Sequence, residues 1–521
     1  MTFLDVAALG TSRQQGGVPA TGTPVDALTQ SLDSVAAAGE ERSVLLRAGA
    51  LAVYHRAGRR PEAAIHPPER APVDRLPEPP PQVARLLREL THSGPRDLVR
   101  EACERLARAG SRLPAALLPA MLDLKDLQEA LAPVLGERGR WLARFRPEWA
   151  WALAPAPDAV AALPADAERT WQEGQFDARL AVLRALRASD PARARAWVEA
   201  AWTGEKSEQR AELLVAFAAG LAPADEAFLE GALDDRSQVV RTVAAELLAR
   251  LPDSQLARRV ADRASTLLSY APPAGGAWAR VKSTIAGPPV GVLTASPPPT
   301  LDASWARDGI PPKPPKGMGE RAHWLAALLA LVPPTRWEER LGATPAALVA
   351  AAWAGEWGFA VALGWSRATL LHQAPGWAAR LWDGWLHATR LAGAEAAVRR
   401  EMLQLLLRRM DPADAEARVL ADISRLAGLV VDLRAPWSSR FGRGYLDALE
   451  RELRAQQPAL ELVESVARAA IALPPDCFAR ALELGPRAEP AAGVYSLWKK
   501  PFESFTEVVQ LRRRIYEEIP T

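Results

Sequence analysis

The sequence predicts an all-α fold in which helical hairpins stack as a repeat solenoid. Apolar residues recur at three- and four-residue spacings, for example in residues 83–90, 98–106, 180–186 and 402–407. β-branched residues are scarce, with only seven isoleucines in 521 residues, and alternating strand patterns are missing. A segment of about 31 residues also recurs, which is typical of repeat architectures.

The composition is that of a globular protein with nearly balanced charge. Apolar residues make up 49% of the chain, and its 521 residues are more than a domain with a single hydrophobic core usually has. We therefore expect several domains or a repeat array. The 64 lysines and arginines nearly equal the 62 aspartates and glutamates. A net charge of +2 gives no general electrostatic reason to bind nucleic acid or anionic lipid.

Two proline-rich stretches divide the chain. Residues 61–81 carry eight prolines and residues 271–316 carry eleven. Proline lacks the amide donor and fixes φ, so we expect neither helix nor inner strand there. Such stretches serve either as ligands of proline-binding domains or as extended connectors along a helical body, and we favour connectors. The predicted parts are listed in chain order: an N-terminal helical segment with a Pro-rich end (1–80), a first helical-repeat half (81–270), a Pro-rich connector (271–317) and a second, Trp-rich helical half (318–521).

The recurring segment is clearest around three arginines, Arg179, Arg210 and Arg241, which are spaced by 31 and 31 residues. Apolar residues follow each arginine at the same offsets, then a proline, then a second apolar set. Each unit is therefore predicted to be a helix, a Pro-bearing turn and a second helix. Because one hairpin cannot bury its apolar face alone, neighbouring hairpins should stack and share a core.

The third unit, residues 233–248, resembles a HEAT repeat. Asp235 precedes Arg241 by six positions, a valine stands just before this arginine, and alanine and leucine follow it. In HEAT repeats this acid and this arginine help to tie adjacent repeats together. The resemblance thus implies a structural role for Asp235 and Arg241. Gly204 and Glu173 take the acidic position in the other two units, which depart from the pattern.

A longer match relates two distant segments, residues 136–143 and residues 319–326. Both begin with Gly-Glu-Arg and continue to Trp-Leu-Ala. The glutamate suits the start of a helix, where the helix dipole favours negative charge. The simplest account is a HEAT-like helical-hairpin repeat solenoid in two related halves joined by the Pro-rich connector. A ligand-binding motif repeated in each half is the alternative.

Three features together resemble a bacterial family known only as a domain of unknown function: residues 8–13, the segment at residues 136–143 and the Trp-rich second half. Genes of this family lie near those of MoxR-type AAA+ ATPases, von Willebrand factor A proteins and SWIM zinc-finger proteins. The resemblance implies a role in an ATPase-linked complex. It assigns no catalytic residue.

The sequence predicts no catalytic, metal or cofactor site, and no enzyme activity. No two of the six histidines are three or four residues apart, and Cys103 and Cys477 lack a nearby ligand. Residues 204–207 lack the upstream glycine of a phosphate-binding loop, and residues 442–444 lack the third glycine of a dinucleotide site. There is no signal peptide pattern or long apolar run, so we expect a cytoplasmic protein that does not enter the membrane.

Tryptophan is unusually frequent, with 18 residues, six of them between Trp353 and Trp385. By spacing, Trp353 and Trp357 should share one helix face, as should Trp382 and Trp385. Core packing between helices is the expected use of these side chains. An exposed aromatic groove for a peptide, sugar or base is the alternative.

One loop, residues 437–445, combines arginines, aromatic residues and glycines between predicted helices. Its amides would face an anion at the next helix start, and we expect Trp437, Arg440 and Arg443 to bind a partner. A simple interhelix loop is the alternative.

The sequence therefore predicts a non-catalytic protein-binding scaffold or adaptor, with an AAA+ ATPase or a von Willebrand factor A protein as the expected partner. A HEAT-like nucleic-acid-binding protein is the first alternative, although the near-neutral charge disfavours it. A small-molecule enzyme with a Trp-lined pocket is the second.

Overall fold

A computed structural model describes residues 20, 22–33, 40–57, 69–153, 166–273, 290–454, 459–484 and 492–521. Within these ranges the secondary structure is α-helix and 3₁₀-helix apart from two short strands, which confirms the all-α fold. The motif at residues 8–13 lies outside the described ranges.

The chain divides into two compact units, Met1–Ala71 and Pro72–Thr521. The division falls within the first Pro-rich stretch. The described helices of the first unit are α1 (Val25–Asp33) and α2 (Glu40–Ala57), which pack against each other.

The second unit begins with a group of helices around a core of its own. Its α-helices are α3 (Pro81–Ser93), α4 (Arg96–Arg108), α5 (Leu118–Leu122), α6 (Gln128–Leu131) and α7 (Gly136–Ala143). Residues 72–80 run without helix or strand before this group, as expected of a Pro-rich stretch, and residues 61–68 of the same stretch lie outside the described ranges. Asp74 in this segment accepts hydrogen bonds from the amides of Glu137 and Arg138, and so caps the start of α7.

The next group contains the predicted hairpins. Its α-helices are α8 (Ala167–Glu173), α9 (Phe176–Ser189), α10 (Pro191–Ala201), α11 (Ser207–Val215), α12 (Glu226–Ala232), α13 (Gln238–Ala249) and α14 (Gln255–Ser265). Pro191 begins α10, and a 3₁₀ turn at Pro223–Asp225 leads into α12. Proline is tolerated at these helix starts because its missing N–H would have no intrahelical partner there.

Two of the three equally spaced arginines pair with an acidic residue of the next unit. Arg179 pairs with Glu205, and Arg210 pairs with Asp235, with Nε of Arg210 2.8 Å from Oδ2 of Asp235. Arg210 also donates to the carbonyl of Glu205 at 2.6 Å, and Arg241 donates to that of Asp235 at 2.7 Å. Asp235 thus contacts the preceding hairpin through Arg210, whereas Arg241 contacts Asp235 only within its own unit and also donates to the connector carbonyl of Ala306. The matching acid in the second unit is Glu205, one position after Gly204.

The proline-rich connector has more regular structure than its composition predicts. Strand β1 (Leu268–Ala271) pairs antiparallel with β2 (Val292–Ala295), with Tyr270 opposite Leu293. A short helix, α15 (Ala303–Arg307), follows. The expectation of no helix was wrong here because α15 lies in a proline-free interval. The expectation of no inner strand is not contradicted, since in the described residues β1 and β2 pair only with each other and both are edge strands.

Asp308 fixes the end of this connector to the hairpins. Its side chain is buried and lies 2.9 Å from Nη2 of Arg259 and 2.6 Å from Nη1 of Arg263, both on α14. The next residue, Gly309, has φ of +87°, and a β-carbon there would lie 2.5 Å from Cβ of Ala245. Glycine at this position lets the connector lie directly on α13.

The Trp-rich half follows the connector. Its first helices are α16 (Glu320–Ala330), α17 (Pro334–Leu341), α18 (Pro345–Ala354), α19 (Gly358–His372) and α20 (Pro375–His387). The indoles of Trp365, Trp377, Trp382 and Trp385 are buried among them, as expected for core packing. Trp385 donates to Oγ of Ser366 at 2.8 Å. Trp353 and Trp357 do not share a helix face as expected, because α18 ends at Ala354 and Trp357 precedes α19.

The chain ends with α21 (Gly393–Arg409), α22 (Pro412–Ala421), α23 (Ile423–Leu426), α24 (Ser439–Leu453), α25 (Leu460–Ala472), α26 (Phe478–Glu483) and α27 (Ala492–Glu518). Helix α27 packs against α25 and α26, and also against α3 and α4 at the start of the same unit. Ile515 and Ile519 enter the core around α3 and α4. In an ideal solenoid each hairpin contacts only its neighbours in the chain, so these contacts depart from that expectation.

Candidate functional site

The predicted partner-binding loop is, for most of its length, the first part of α24. Trp437 precedes this helix and is only 2% exposed. Its ring lies 4.9 Å from that of Phe441 and 5.2 Å from that of Tyr445. In this structure Trp437 is thus a core residue and not an exposed anchor. Sequence could not show this, because tryptophan serves both purposes and burial depends on which helices pack above it.

The start of α24 already has an anionic partner within the protein. Oε1 of Glu416 accepts a hydrogen bond from the Ser438 amide at 2.9 Å, and Oγ of Ser438 accepts one from the amide of Phe441 at 3.2 Å. Arg443 pairs with Asp476 at 2.9 Å, whereas Arg440 is exposed. The anion site expected at this helix start is therefore filled by Glu416.

A groove between α18 and α20 is the better candidate for a binding site. Its volume is about 740 Å³, and its floor includes Val349, Trp353 and Leu391. Trp353 is half-buried, and its ring meets that of Trp385 edge-on at 4.9 Å. A β-carbon at Gly384 would lie 2.5 Å from Nε1 of Trp353. The absence of a side chain at Gly384 therefore lets the indole lie flat against α20.

Arginines form the rim of this groove. Asp383 lies 2.9 Å from Nε of Arg418 and 3.8 Å from Nη1 of Arg380. The hydrogen bond to Asp383 raises the pKa of Arg418. Arg390 lines the groove, is exposed, and has no ion pair with any residue that the structure describes. Two arginines, Arg380 and Arg390, thus accompany one carboxylate, Asp383, among the lining residues, which leaves the rim with a net positive charge.

The sequence pointed to this groove only in part. Trp353 belongs to the tryptophan cluster for which an exposed aromatic groove was the alternative to core packing. Arg380 and Arg390 were not singled out, because nothing local in the sequence places them beside an indole more than 25 residues earlier in the chain. Only the packing of α18 against α20 brings them together.

The two cysteines have the character of core residues. Both are free and buried. Burial, together with the nearby charge of Glu104, raises the pKa of Cys103 to about 12, and burial raises that of Cys477 to about 11. Both side chains are therefore neutral thiols at ordinary pH, which are poor nucleophiles and poor metal ligands. Over the described parts of the chain, no three His, Cys, Asp or Glu side chains are grouped so as to hold a metal ion.

The residues that the structure describes include no helix with the length and apolar character needed to cross a bilayer. No curated protein and no solved structure matches the chain. A family model described as "Family of unknown function (DUF5691)" matches residues 2–519, nearly the whole chain. The chain therefore belongs to this family of unknown function.

Proposed function

We propose that this protein is a non-catalytic scaffold or adaptor that binds a partner protein in the groove between α18 and α20. The observation that carries the proposal is the combination of an apolar, tryptophan-bearing floor with a cationic rim in one open groove. Tryptophan and arginine are the residues that most often anchor protein interfaces. The volume of about 740 Å³ is large enough for several side chains of a partner.

The chemistry of the groove indicates what the partner presents. Apolar side chains would cover Val349, Trp353 and Leu391, and acidic side chains would pair with Arg380 and Arg390. From the resemblance stated above, the partner is a MoxR-type AAA+ ATPase or a von Willebrand factor A protein of the same organism. The proposal keeps the cytoplasmic location, which two free buried thiols fit.

The test measures binding of each purified candidate partner to the purified full-length chain by calorimetry. The double variant Arg380→Glu/Arg390→Glu reverses the charge of the rim, and Ala350→Glu places a carboxylate on the exposed groove-facing side of α18. We expect each to weaken binding at least tenfold. The matched control is Arg85→Glu/Arg88→Glu on α3, where both arginines are exposed and far along the chain from the groove. It should bind like the wild type.

Two results would overturn the proposal. One is that neither candidate partner binds the wild-type chain. The other is that the groove variants and the control bind equally well. Duplex DNA is titrated in parallel, because tight binding with a steep salt dependence would favour the nucleic-acid alternative instead.

A further inference from the structure

A second cavity lies on another part of the unit, where the connector crosses the helices. It has a volume of about 460 Å³ and is formed by α13, by connector residues 309–311, and by α16 and α19. Ile310, Leu331 and Leu370 are among its apolar lining residues. Small-molecule sites typically have volumes of roughly 300–1,000 Å³ and combine such apolar walls with a few polar groups.

The first polar group in this cavity is the imidazole of His323 on α16. Its Nε2 lies 3.0 Å from the carbonyl oxygen of Pro311. A carbonyl can only accept, so Nε2 carries the proton and Nδ1 is left as an acceptor. Nδ1 is buried and has no hydrogen-bond partner among the described residues, and the whole residue is only 5% exposed. Burial, despite the hydrogen bond to Pro311, lowers the pKa of His323, so the ring is neutral at pH 7.

The other two polar groups are Glu246 on α13 and Arg367 on α19. Both line the cavity, and neither has a hydrogen bond or an ion pair with any described residue. Both side chains are exposed to solvent. Desolvation raises the pKa of Glu246, although the charge of Arg367 opposes this, and desolvation lowers the pKa of Arg367. A carboxyl and a guanidinium thus share one cavity without forming a pair.

This arrangement contrasts with the ionic groups nearby in the same fold. The Asp308 carboxylate beside the cavity is saturated by Arg259 and Arg263. Unlike Asp308, which is only 1% exposed, Glu246 and Arg367 are exposed, so water can solvate their charges without a partner in the protein. What points to a ligand is the combination in one cavity of apolar walls with a carboxyl and a guanidinium that form no ion pair with each other.

We propose that this cavity binds a small zwitterion with an apolar body, of the α-amino acid class. The ligand carboxylate would accept two hydrogen bonds from Arg367, whose planar fork suits a carboxylate. The ligand ammonium would donate to Glu246. The apolar side chain would contact Ile310, Leu331 and Leu370. This site is separate from the groove between α18 and α20 and does not depend on the proposed scaffold function.

The experiment titrates leucine, phenylalanine, methionine and valine into the full-length chain by calorimetry. Leucinamide, which lacks the carboxylate, and N-acetyl-leucine, which lacks the ammonium, are the matched ligands. We expect at least one amino acid to bind at micromolar to millimolar concentration. Either blocked ligand should bind at least tenfold more weakly than leucine.

Single-residue variants test the proposed contacts of the ligand with Arg367 and Glu246. Arg367→Met should weaken the binding of the amino acid at least tenfold but leave leucinamide binding nearly unchanged. Glu246→Gln should also weaken the binding of the amino acid at least tenfold, but it should leave the binding of N-acetyl-leucine nearly unchanged. Arg184→Met and Glu212→Gln remove exposed charges from α9 and α11 and should bind like the wild type. Both cavity variants replace solvent-accessible side chains, and their circular dichroism and melting temperature verify that they fold.

The proposal is overturned if none of the four amino acids binds at millimolar concentration. It is also overturned if the folded variants Arg367→Met and Glu246→Gln bind as tightly as the controls. If both variants lost the binding of the amino acid and of the two blocked ligands to the same extent, the substitutions would have changed the cavity as a whole. This result would likewise contradict the assigned contacts.

Discussion

Glu101 and Arg512, 411 positions apart in the chain, form a two-point ion pair. Nε and Nη2 of Arg512 lie 2.7 Å from the two carboxylate oxygens of Glu101. Nη1 of the same guanidinium donates to the carbonyls of Ala470 and Leu473. Arg512 is only 1% exposed. One side chain of α27 thus joins α4 to the end of α25.

We expect Glu101→Ala to destabilise the protein by about 3 kcal/mol, because removing one partner leaves a buried guanidinium without its counter-charge. The matched control is Glu104→Ala on the same helix, whose exposed partner Arg108 lies 3.7 Å away. It should cost about 1 kcal/mol or less. Urea unfolding of both variants measures the free energies. Equal losses would show that the pair does not hold α27 in place.

We expect Asp225 to make the free energy of unfolding depend on pH. Burial raises its pKa, but hydrogen bonds from Arg187 and Arg195 outweigh this effect, so the pKa lies below the ordinary value. The folded state therefore binds the proton more weakly than the unfolded state. Ionised Asp225 therefore stabilises the folded state at pH values above its unfolded-state pKa of about 3.9. This stabilisation is lost as the pH falls through the lower pKa of Asp225 in the folded state.

The variant Asp225→Asn tests this link. It should be less stable than the wild type at pH 7, because Arg187 is fully buried and loses its counter-charge. Its unfolding free energy should fall less steeply on acidification. Asp253→Asn, at an exposed position, is the control and should keep the wild-type pH dependence. A pH dependence unchanged in Asp225→Asn would contradict the assignment.

Glu246 should have the opposite pH dependence. Desolvation, partly offset by Arg367, raises its pKa. The folded state then binds the proton more tightly, so stability is greatest below the unfolded pKa of about 4.3 and decreases as the pH rises through the folded value. Glu246→Gln removes the unfavourable free energy of keeping this carboxylate ionised in the folded state. Its melting temperature should exceed that of the wild type at pH 7 and approach it near pH 4. A variant that is less stable at pH 7 would show that the carboxylate contributes to folding.

Gly364 should tolerate no side chain. A β-carbon there would lie 2.7 Å from Cβ of Leu329 and 2.8 Å from the carbonyl oxygen of Ala326, so α19 would have to move away from α16. We expect Gly364→Ala to cost about 1–3 kcal/mol. Gly376 is a helical glycine with open space around its β-carbon position. Gly376→Ala should be neutral or stabilising by up to about 1 kcal/mol, since alanine has the higher helix propensity. Thermal unfolding compares the two.

The all-α fold followed from sequence because helical periodicity is local. Residues 83–90, 98–106, 180–186 and 402–407 all lie in observed helices. The role of an aromatic side chain did not follow in the same way. Trp437 and Trp353 are the same type of residue, yet one is buried beneath α24 and the other lies in a groove.

The second cavity had no sequence pattern at all. Glu246, His323 and Arg367 lie on three helices, and they line one cavity because α16 packs against α19 and the connector lies against α13. Gly309 and Asp308, which fix that connector, have no recognisable motif either. Residues that converge from distant segments can be found only once the packing is known.

The contact between Glu101 and Arg512 also bears on how such chains can change in evolution. Helical arrays commonly gain or lose whole hairpins, since each new unit needs only to fit its neighbours. Here an added or deleted hairpin between α4 and α27 would shift Arg512 away from Glu101. Duplication of a 31-residue unit would therefore destabilise the protein by breaking this ion pair, even if the new unit itself packed well. The number of hairpins in this unit is constrained by a contact between α4, near its start, and α27, at its end.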